Sequence, residues 1–496
     1  MKKCVIIGSG LGGLSCGAIL AKNGYDVTVL EQGNQIGGCL QCFHRGDAVF
    51  DTGMHYVGSG DKGQILNTIF HYLGVDKDIN LSRLNPKGYD VISLRGEHYR
   101  IANGRDEFIN ALTEHFPKSA VELNTYYDLI KLVAASLPMH SLNKNADMNV
   151  YANYLSKSVN EVIDGIISDP LLRDVLVGVS PLYAGEKNRT PFTNHALITD
   201  YFNQSAFRIV GGSSVVADSL ADVIRKNGGK ILLRTKASKI ETNETEAKAV
   251  ITADGDRISA DIIVSAIHPA STLNLVDSHL IRAAYRSRIE NYRNTVSAFT
   301  VYLKFQDKSV RYMDSNLYYY RGSSTWGSEI YDAESWPKSM LYMHFCHEQN
   351  PEFAQTGQIL TYMNFDDTKK WLGTHVGNRG TDYEAFKREK AEIVINALEK
   401  EVPGLRDKIE DYYTSTPLTY LDYTGVPDGA MYGIAKDVNV FGSANVSCKT
   451  SIPNLLLTGQ CLTLHGMLGV LVGSLITCSE LLTRDEIFRQ LDESMQ

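Results

Sequence analysis

Residues 4 to 13 read Cys4-Val5-Ile6-Ile7-Gly8-Ser9-Gly10-Leu11-Gly12-Gly13, and Glu31 closes the next apolar run. Apolar residues running straight into a glycine turn suit a strand buried on both faces, as in a parallel sheet. Leu11 to Asn23, rich in Ala and Gly, reads as a helix, and Tyr25 to Glu31 as a second strand. Strand, glycine turn, helix, strand and an acidic residue about 18 positions after Gly13 make up a dinucleotide-binding fingerprint. Gly8 permits the tight turn, Gly10 lets backbone approach a pyrophosphate, and Gly13 lets the helix pack against the sheet. The helix N-terminus supplies an anion site without a basic side chain, and Glu31 is placed to accept hydrogen bonds from a ribose. An acidic residue there disfavours a 2′-phosphate, so NADP is not expected at this site; the fingerprint by itself does not separate FAD from NAD.

Working outward, 496 residues exceed what one hydrophobic core usually supports, so two domains are expected. A hydrophobic content of 43% and a charged content of 21% are those of a globular enzyme. A net charge of -8 and the absence of a basic cluster argue against a nucleic-acid partner. The first strand follows Met1 so closely that no signal peptide fits, which points to the cytoplasm. The apolar stretch Met467 to Leu475 is too short to span a bilayer. Eight cysteines in a chain of this length fit buried thiols in a reducing compartment.

Beyond residue 75 the pattern turns to amphipathic helices, clearest at Tyr126 to Ser136 and Val159 to Ile167, and the stretch to about 205 reads as a helical insertion. A helix from Val215 to Lys226 and strands at Lys230 to Arg234, Ala247 to Ala253 and Asp261 to Ser265 look like a return to the nucleotide domain. Strand-like segments at Ala298 to Phe305 and Asn316 to Arg321, then a charged helix from Tyr383 to Glu401, belong to a second domain. Asn454 to Thr458 is a last short strand before a glycine-punctuated helix and a charged tail.

Gly37-Gly38, Phe50-Asp51-Thr52-Gly53-Met54-His55-Tyr56, Gly211-Gly212, Thr235 to Ile240, Ala260 to Pro269, Thr416 to Thr419, Tyr432-Gly433, Leu456 to Gln460 and Gly466-x-x-Gly469-x-x-x-Gly473-Ser474 occur in an order that resembles the phytoene desaturase, carotenoid isomerase and retinol saturase family, with the retinol saturase-like branch nearest. The resemblance spans residues 1 to about 485, loosely between 75 and 205. It implies an α/β fold with a doubly wound, Rossmann-like FAD-binding domain of the glutathione reductase/amine oxidase type and an interleaved α+β substrate domain. The FAD domain is expected from 1-75, 205-285 and 425-485, the substrate domain from 76-204 and 286-424, and a tail from 486-496. FAD contacts, noncovalent, are implied at Gly8, Gly10, Leu11, Gly12, Gly13, Glu31, Gln32, Gly37, Gly38, Gly53, Met54, His55, Gly459, Gln460, Gly466, Leu468, Gly469 and Val470. Ala237 stands where the family usually has Val, and its backbone is expected to meet the adenine.

The family chemistry implies reaction at a carbon–carbon double bond of a lipophilic polyene or isoprenoid, by saturation, desaturation or isomerisation. An amine oxidase relative and a nonenzymatic FAD-binding escort are the alternatives. His55, Tyr56 and His465 are the candidate acids, set against a structural role for both histidines, and Tyr183 is a further side chain within reach of a pocket. Cys39-x-x-Cys42 has redox spacing but reads as structural thiols, since flavin disulfide reductases space their pair differently. Cys461 and Cys478 lack a covalent-flavin motif. His344 and His347 lack zinc-pair spacing, and no metal is expected. A second nucleotide fingerprint is absent, which leaves transient NAD(P)H, a quinone or another protein as electron partner. Leu129 to Pro138 is the one stretch weighed for peripheral membrane contact, against the simpler reading of a helix packed in the substrate domain. Oligomeric state is not legible.

Overall fold

The structure is a computed structural model that describes every residue except His347, Asn350, Ala444 and Gln496. Its first layer is a five-stranded parallel sheet in the order Lys230–Leu232, Asp26–Leu30 (β2), Lys3–Ile7 (β1), Ile262–Ser265, Leu455–Leu457. The three stretches of chain that supply these strands are far apart in sequence. β1 is at the centre, with Cys4 beside Val27 on one side and Ile262 on the other. Cys4 to Ile7 are all buried, which is why the run is apolar without alternation.

The helix Leu11–Lys22 (α1) follows the glycine turn and is buried from Leu11 to Ala21. Its small residues let neighbours come close: a Cβ on Gly17 would meet Ile224 Cδ1 at 2.8 Å, and a Cβ on Gly12 would meet Gly459 Cα at 3.0 Å. α1 is thus wedged between the helices Ser214–Lys226 and Gly466–Leu482. Ser474 Oγ donates to the carbonyl of Gly12 at 3.3 Å, fastening the last helix to the first.

The second layer is a seven-stranded sheet, ordered Ile409–Ser415, Ser297–Phe305, Thr356–Met363, Ser339–Phe345, Asn316–Tyr320, Asp90–Leu94, Glu97–Ile101. Only the Asn316–Tyr320/Asp90–Leu94 pair is parallel. Alternation divides its two faces. Leu341, Met343 and Phe345 join the core shared with the helices of residues 105 to 204, whereas Met340 and Tyr342 pack with Val394, Ile395 and Leu398 of the helix Thr381–Glu399.

Two expectations need correction. The stretch 75 to 205 is not wholly helical: Asp90–Leu94 and Glu97–Ile101 form a hairpin through Arg95 and Gly96, both at positive φ, as a two-residue turn requires. The expected tail is the helix Arg484–Ser494, because Ile487, Phe488 and Leu491 share a face that buries against the body. Leu129 to Pro138 packs in the substrate domain, the simpler of the two readings: Ile130, Val133, Ala134, Leu137 and Pro138 are buried, while Leu132 is exposed. No helix among the described residues is long and apolar enough to cross a membrane.

Candidate active site

One cavity of about 520 Å³ runs from the glycine turn to the underside of the second sheet. Gly8, Gly10, Leu11, Gly12, Glu31, Gln32, Gly37, Gly38, Gly53, Met54, His55, Tyr56, Ala237, Gly459, Gln460, His465, Gly466, Leu468, Gly469 and Val470 all line it. Most residues singled out from the sequence for cofactor or catalysis are therefore gathered here; Gly13, Asp51 and Tyr183 are not. That glycine stands behind the wall, where a Cβ would meet the carbonyl oxygen of Gly8 at 2.0 Å.

The cavity has the features a flavin dinucleotide needs. Gly10 caps α1 in extended conformation, and the space its missing Cβ leaves is open. The first intrahelical bond at this end is Leu14 N to Gly10 O at 3.0 Å, so the N–H groups ahead of Leu14 have no helical partner. A second helix, Gly466–Leu482, also begins at the cavity, and its cap residue His465 makes no side-chain capping bond. Two helix N-termini facing one cavity favour an anionic ligand. Gly37 and Gly38, both at positive φ, hold the next turn against the first, with Gly37 N donating to Ser9 O at 2.9 Å.

Glu31 lines the cavity and braces the glycine turn beside it. Its carboxylate accepts from Ser9 N at 3.0 Å, Ser9 Oγ at 2.5 Å and Gly33 N at 2.7 Å, which stiffens the glycine turn. Asp51 lies outside the cavity lining. It accepts from Ser213 N and Oγ at 2.7 and 2.6 Å and from Cys42 Sγ at 3.2 Å, pinning the turn before the helix Ser214–Lys226.

The candidate acids differ sharply. His55 is half-buried, its buried Nδ1 makes no hydrogen bond, and desolvation holds the imidazole down at about 4. His465 is also pulled down to about 4 by burial; its Nε2 is 2.9 Å from the Leu182 carbonyl, and its ring stacks on Tyr432 at 4.1 Å. Tyr56 lines the cavity and bonds through its hydroxyl to Asp90 Oδ2 at 3.0 Å and Tyr318 Oη at 2.6 Å. Asp90 is fully buried, accepts from Asn316 Nδ2 at 2.8 Å, and is pushed up to about 7 by burial. Arg208 completes this network through Asn316 Oδ1 at 2.7 Å and the His55 carbonyl at 3.1 Å.

Tyr183 does not reach the cavity lining; its hydroxyl bonds to His195 Nδ1 at 2.9 Å. Cys39 lines the cavity and Cys42 does not, and burial pushes both thiols up to about 11, so neither is a thiolate at neutral pH. Cys461 lines the cavity and Cys478 is buried elsewhere. His344 bonds to Met313 N and to the Tyr342 hydroxyl, and His347 lies outside the described residues. Among the described residues no group of three or more potential ligands could hold a metal.

Sequence reasoning missed the far wall: Leu66, Ile198, Tyr201, Phe202, Leu341, Leu360, Tyr420 and Met431. No local motif marks it. The helix Phe192–Gln204 is buried over Phe192 to Tyr201 although Thr193, Asn194, His195, Thr199 and Asp200 give its sequence the polarity of a surface helix.

The chain is similar to several known proteins along almost its whole length. An all-trans-retinol 13,14-reductase of Rattus norvegicus is 29% identical, covering 97% of this chain and 86% of that protein. A neurosporene-forming phytoene desaturase of Rhodobacter capsulatus is 23% identical over 88% of this chain and 84% of its own. Among solved structures, cyclohexylamine oxidase from Brevibacterium oxydans superposes with a TM-score of 0.61 at 14% identity, over 100% of both chains, which shows the shared fold. The family model described as flavin containing amine oxidoreductase matches residues 11–389, and with two helix N-termini and the glycine turn converging on one cavity, the chain belongs to that family of flavin-dependent oxidoreductases.

Proposed function

We propose that the chain is an FAD-dependent reductase that saturates one carbon–carbon double bond of a long, apolar polyene, with FAD held noncovalently. The observation that carries this reading is the character of the cavity's far end, walled by Leu66, Ile198, Phe202, Leu341, Leu360 and Met431. Among the described lining residues the only carboxylate is Glu31, at the nucleotide end and occupied by the glycine turn. A cationic amine would find no counter-charge at the apolar end, whereas a hydrocarbon chain loses water on entering it. The retinol reductase and phytoene desaturase similarities point to the same class of substrate.

Bound reduced flavin would supply the hydride. The protein must hold the substrate against it, exclude water and deliver a proton to the adjoining carbon. We assign that proton to Tyr56, fed by Asp90, rather than to His55 or His465. A general acid works best when its proton is available near the working pH. Both imidazoles are held neutral by burial, while Asp90 retains its proton to about 7. With Asn316 donating to Asp90 Oδ1, the protonated Oδ2 faces the Tyr56 oxygen. Asp90 then restores the proton that Tyr56 gives up, and Arg208 lies close enough to favour the carboxylate left behind. His465 positions the Leu182 carbonyl and the Tyr432 ring.

Transient NAD(P)H or a quinone is the proposed source of electrons, and the test avoids that choice by reducing the enzyme chemically. Anaerobic incubation with all-trans retinol or a carotenoid, followed by mass spectrometry, should show a gain of two hydrogens. Tyr56→Phe should retain flavin and lose this product, while His55→Gln should retain both. An unchanged mass with altered retention would replace saturation by isomerisation, and recovery of untouched substrate would remove the polyene reading.

A further inference from the structure

Lys436 is buried, with 7 % of its surface exposed, and among the described residues its ammonium has no carboxylate partner. Nζ donates to the carbonyl oxygens of Cys461, at 2.8 Å, and Leu462. None of the ion pairs among the described residues includes it. Asp437, next in sequence, is committed elsewhere: its carboxylate pairs with Arg189 at 2.7 Å and accepts from Asn439 N at 2.8 Å. Burial pulls Lys436 down only to about 8, so it is charged at neutral pH. A buried charge held by two carbonyls alone is costly, and such charges persist where something neutralises them.

The place of this charge is informative. Gly459, Gln460 and Cys461 form part of the cavity wall, so Lys436 stands one peptide layer behind it. The same turn leads into Gly466, where the second helix N-terminus faces the cavity. The ammonium and the helix dipole therefore raise the potential of one wall together, and the ammonium also contributes to holding His465 neutral.

We propose that Lys436 is the counter-charge for the bound flavin dinucleotide, a positioning residue that acts through the Gly459–Leu462 turn and favours the reduced, anionic isoalloxazine. This rests on the flavin assignment and is independent of the substrate. Two anions of the cofactor are in reach of such a charge, and oxidation state separates them. The pyrophosphate is charged in both states, so losing its partner weakens binding of oxidised FAD and leaves the potential alone. The isoalloxazine becomes anionic only on reduction, so losing its partner moves the potential.

The experiment compares FAD-loaded wild type with Lys436→Gln and Lys436→Arg, the first keeping a donor for a carbonyl without charge and the second keeping the charge. The midpoint potential is read by dye equilibration, and the dissociation constant of oxidised FAD by fluorescence on dilution. We expect Lys436→Gln to lose about tenfold in the preference for reduced over oxidised flavin, about 30 mV for a two-electron couple, and Lys436→Arg to restore it. Lys436→Met provides a second uncharged variant should the glutamine variant fail to retain flavin. Weaker binding of oxidised FAD at an unchanged potential would uphold the counter-charge and transfer it to the pyrophosphate. Unchanged potential and unchanged affinity would overturn the proposal and leave the Cys461 thiol, itself beside Lys436, as the group the ammonium serves.

Discussion

Replacing Asp90 by Asn should stabilise the protein in alkaline buffer and do so far less in acid. Asp90 is fully buried, and its carboxyl is raised from 3.8 to about 7, chiefly by desolvation. A raised folded-state value means that the folded protein keeps a proton the unfolded chain releases. That contribution is complete below the unfolded value and is lost as pH rises through the folded one. Between about pH 5 and about pH 8 the wild type crosses two units of this window at about 1.4 kcal/mol each, so it should lose about 3 kcal/mol that the Asn variant does not. Asn is a fair replacement: its oxygen can accept from Asn316 and its amide can donate to Tyr56, which can turn its own hydroxyl toward Tyr318. The buried histidines also titrate, but they are common to both proteins and cancel in the difference. The assay is urea unfolding of both proteins at the two pH values. A stability difference that stays the same at both pH values would refute a neutral Asp90, and with it the proton supply assigned to Tyr56.

Other outcomes follow from the same geometry. Gly13→Ala forces a Cβ onto the Gly8 carbonyl at 2.0 Å and should abolish FAD retention, read as loss of flavin absorbance after gel filtration. Glu31→Gln removes the charge that gathers Ser9 and Gly33 and should cost about 1–3 kcal/mol of FAD binding, measured by titration of the apoprotein. The Cys39→Ser/Cys42→Ser double variant should keep the wild-type potential and turnover, since both thiols are pushed up to about 11; loss of turnover would reinstate a redox pair.

The nucleotide end was legible because its chemistry is local. Gly8, Gly10, Gly13 and Glu31 act through backbone geometry and a fixed spacing along one strand–helix–strand unit, and these are readable in a single sequence. The hairpin Asp90–Ile101 was hidden for the opposite reason. Its strands gain their place by pairing with Asn316–Tyr320, more than 200 residues away in sequence, and nothing near Asp90 records that partner. The pairing is also what makes Asp90 a buried acid, so the sequence pointed to Tyr56 but not to the carboxyl behind it. Likewise, Ile198 and Phe202 belong to a helix whose polar residues Asn194, His195 and Asp200 are buried with its apolar ones, so its sequence does not announce that it is enclosed. Lys436 carries no motif; only the carbonyls it reaches give it meaning.

The order of strands in the parallel sheet sets a timetable for synthesis. β1 cannot gain its second neighbour until Ile262–Ser265 has emerged, and that strand in turn waits for Leu455–Leu457. At translation rates of 5–20 residues per second, roughly 450 residues separating the first strand from the last amount to roughly 20 to 90 s on the ribosome. Throughout that interval α1, apolar over its whole circumference, lacks the helix Gly466–Leu482 that covers it. Until then the cavity also lacks the wall that Gly459, Gln460 and Gly466 supply, so the site is completed by the last part of the chain to be made.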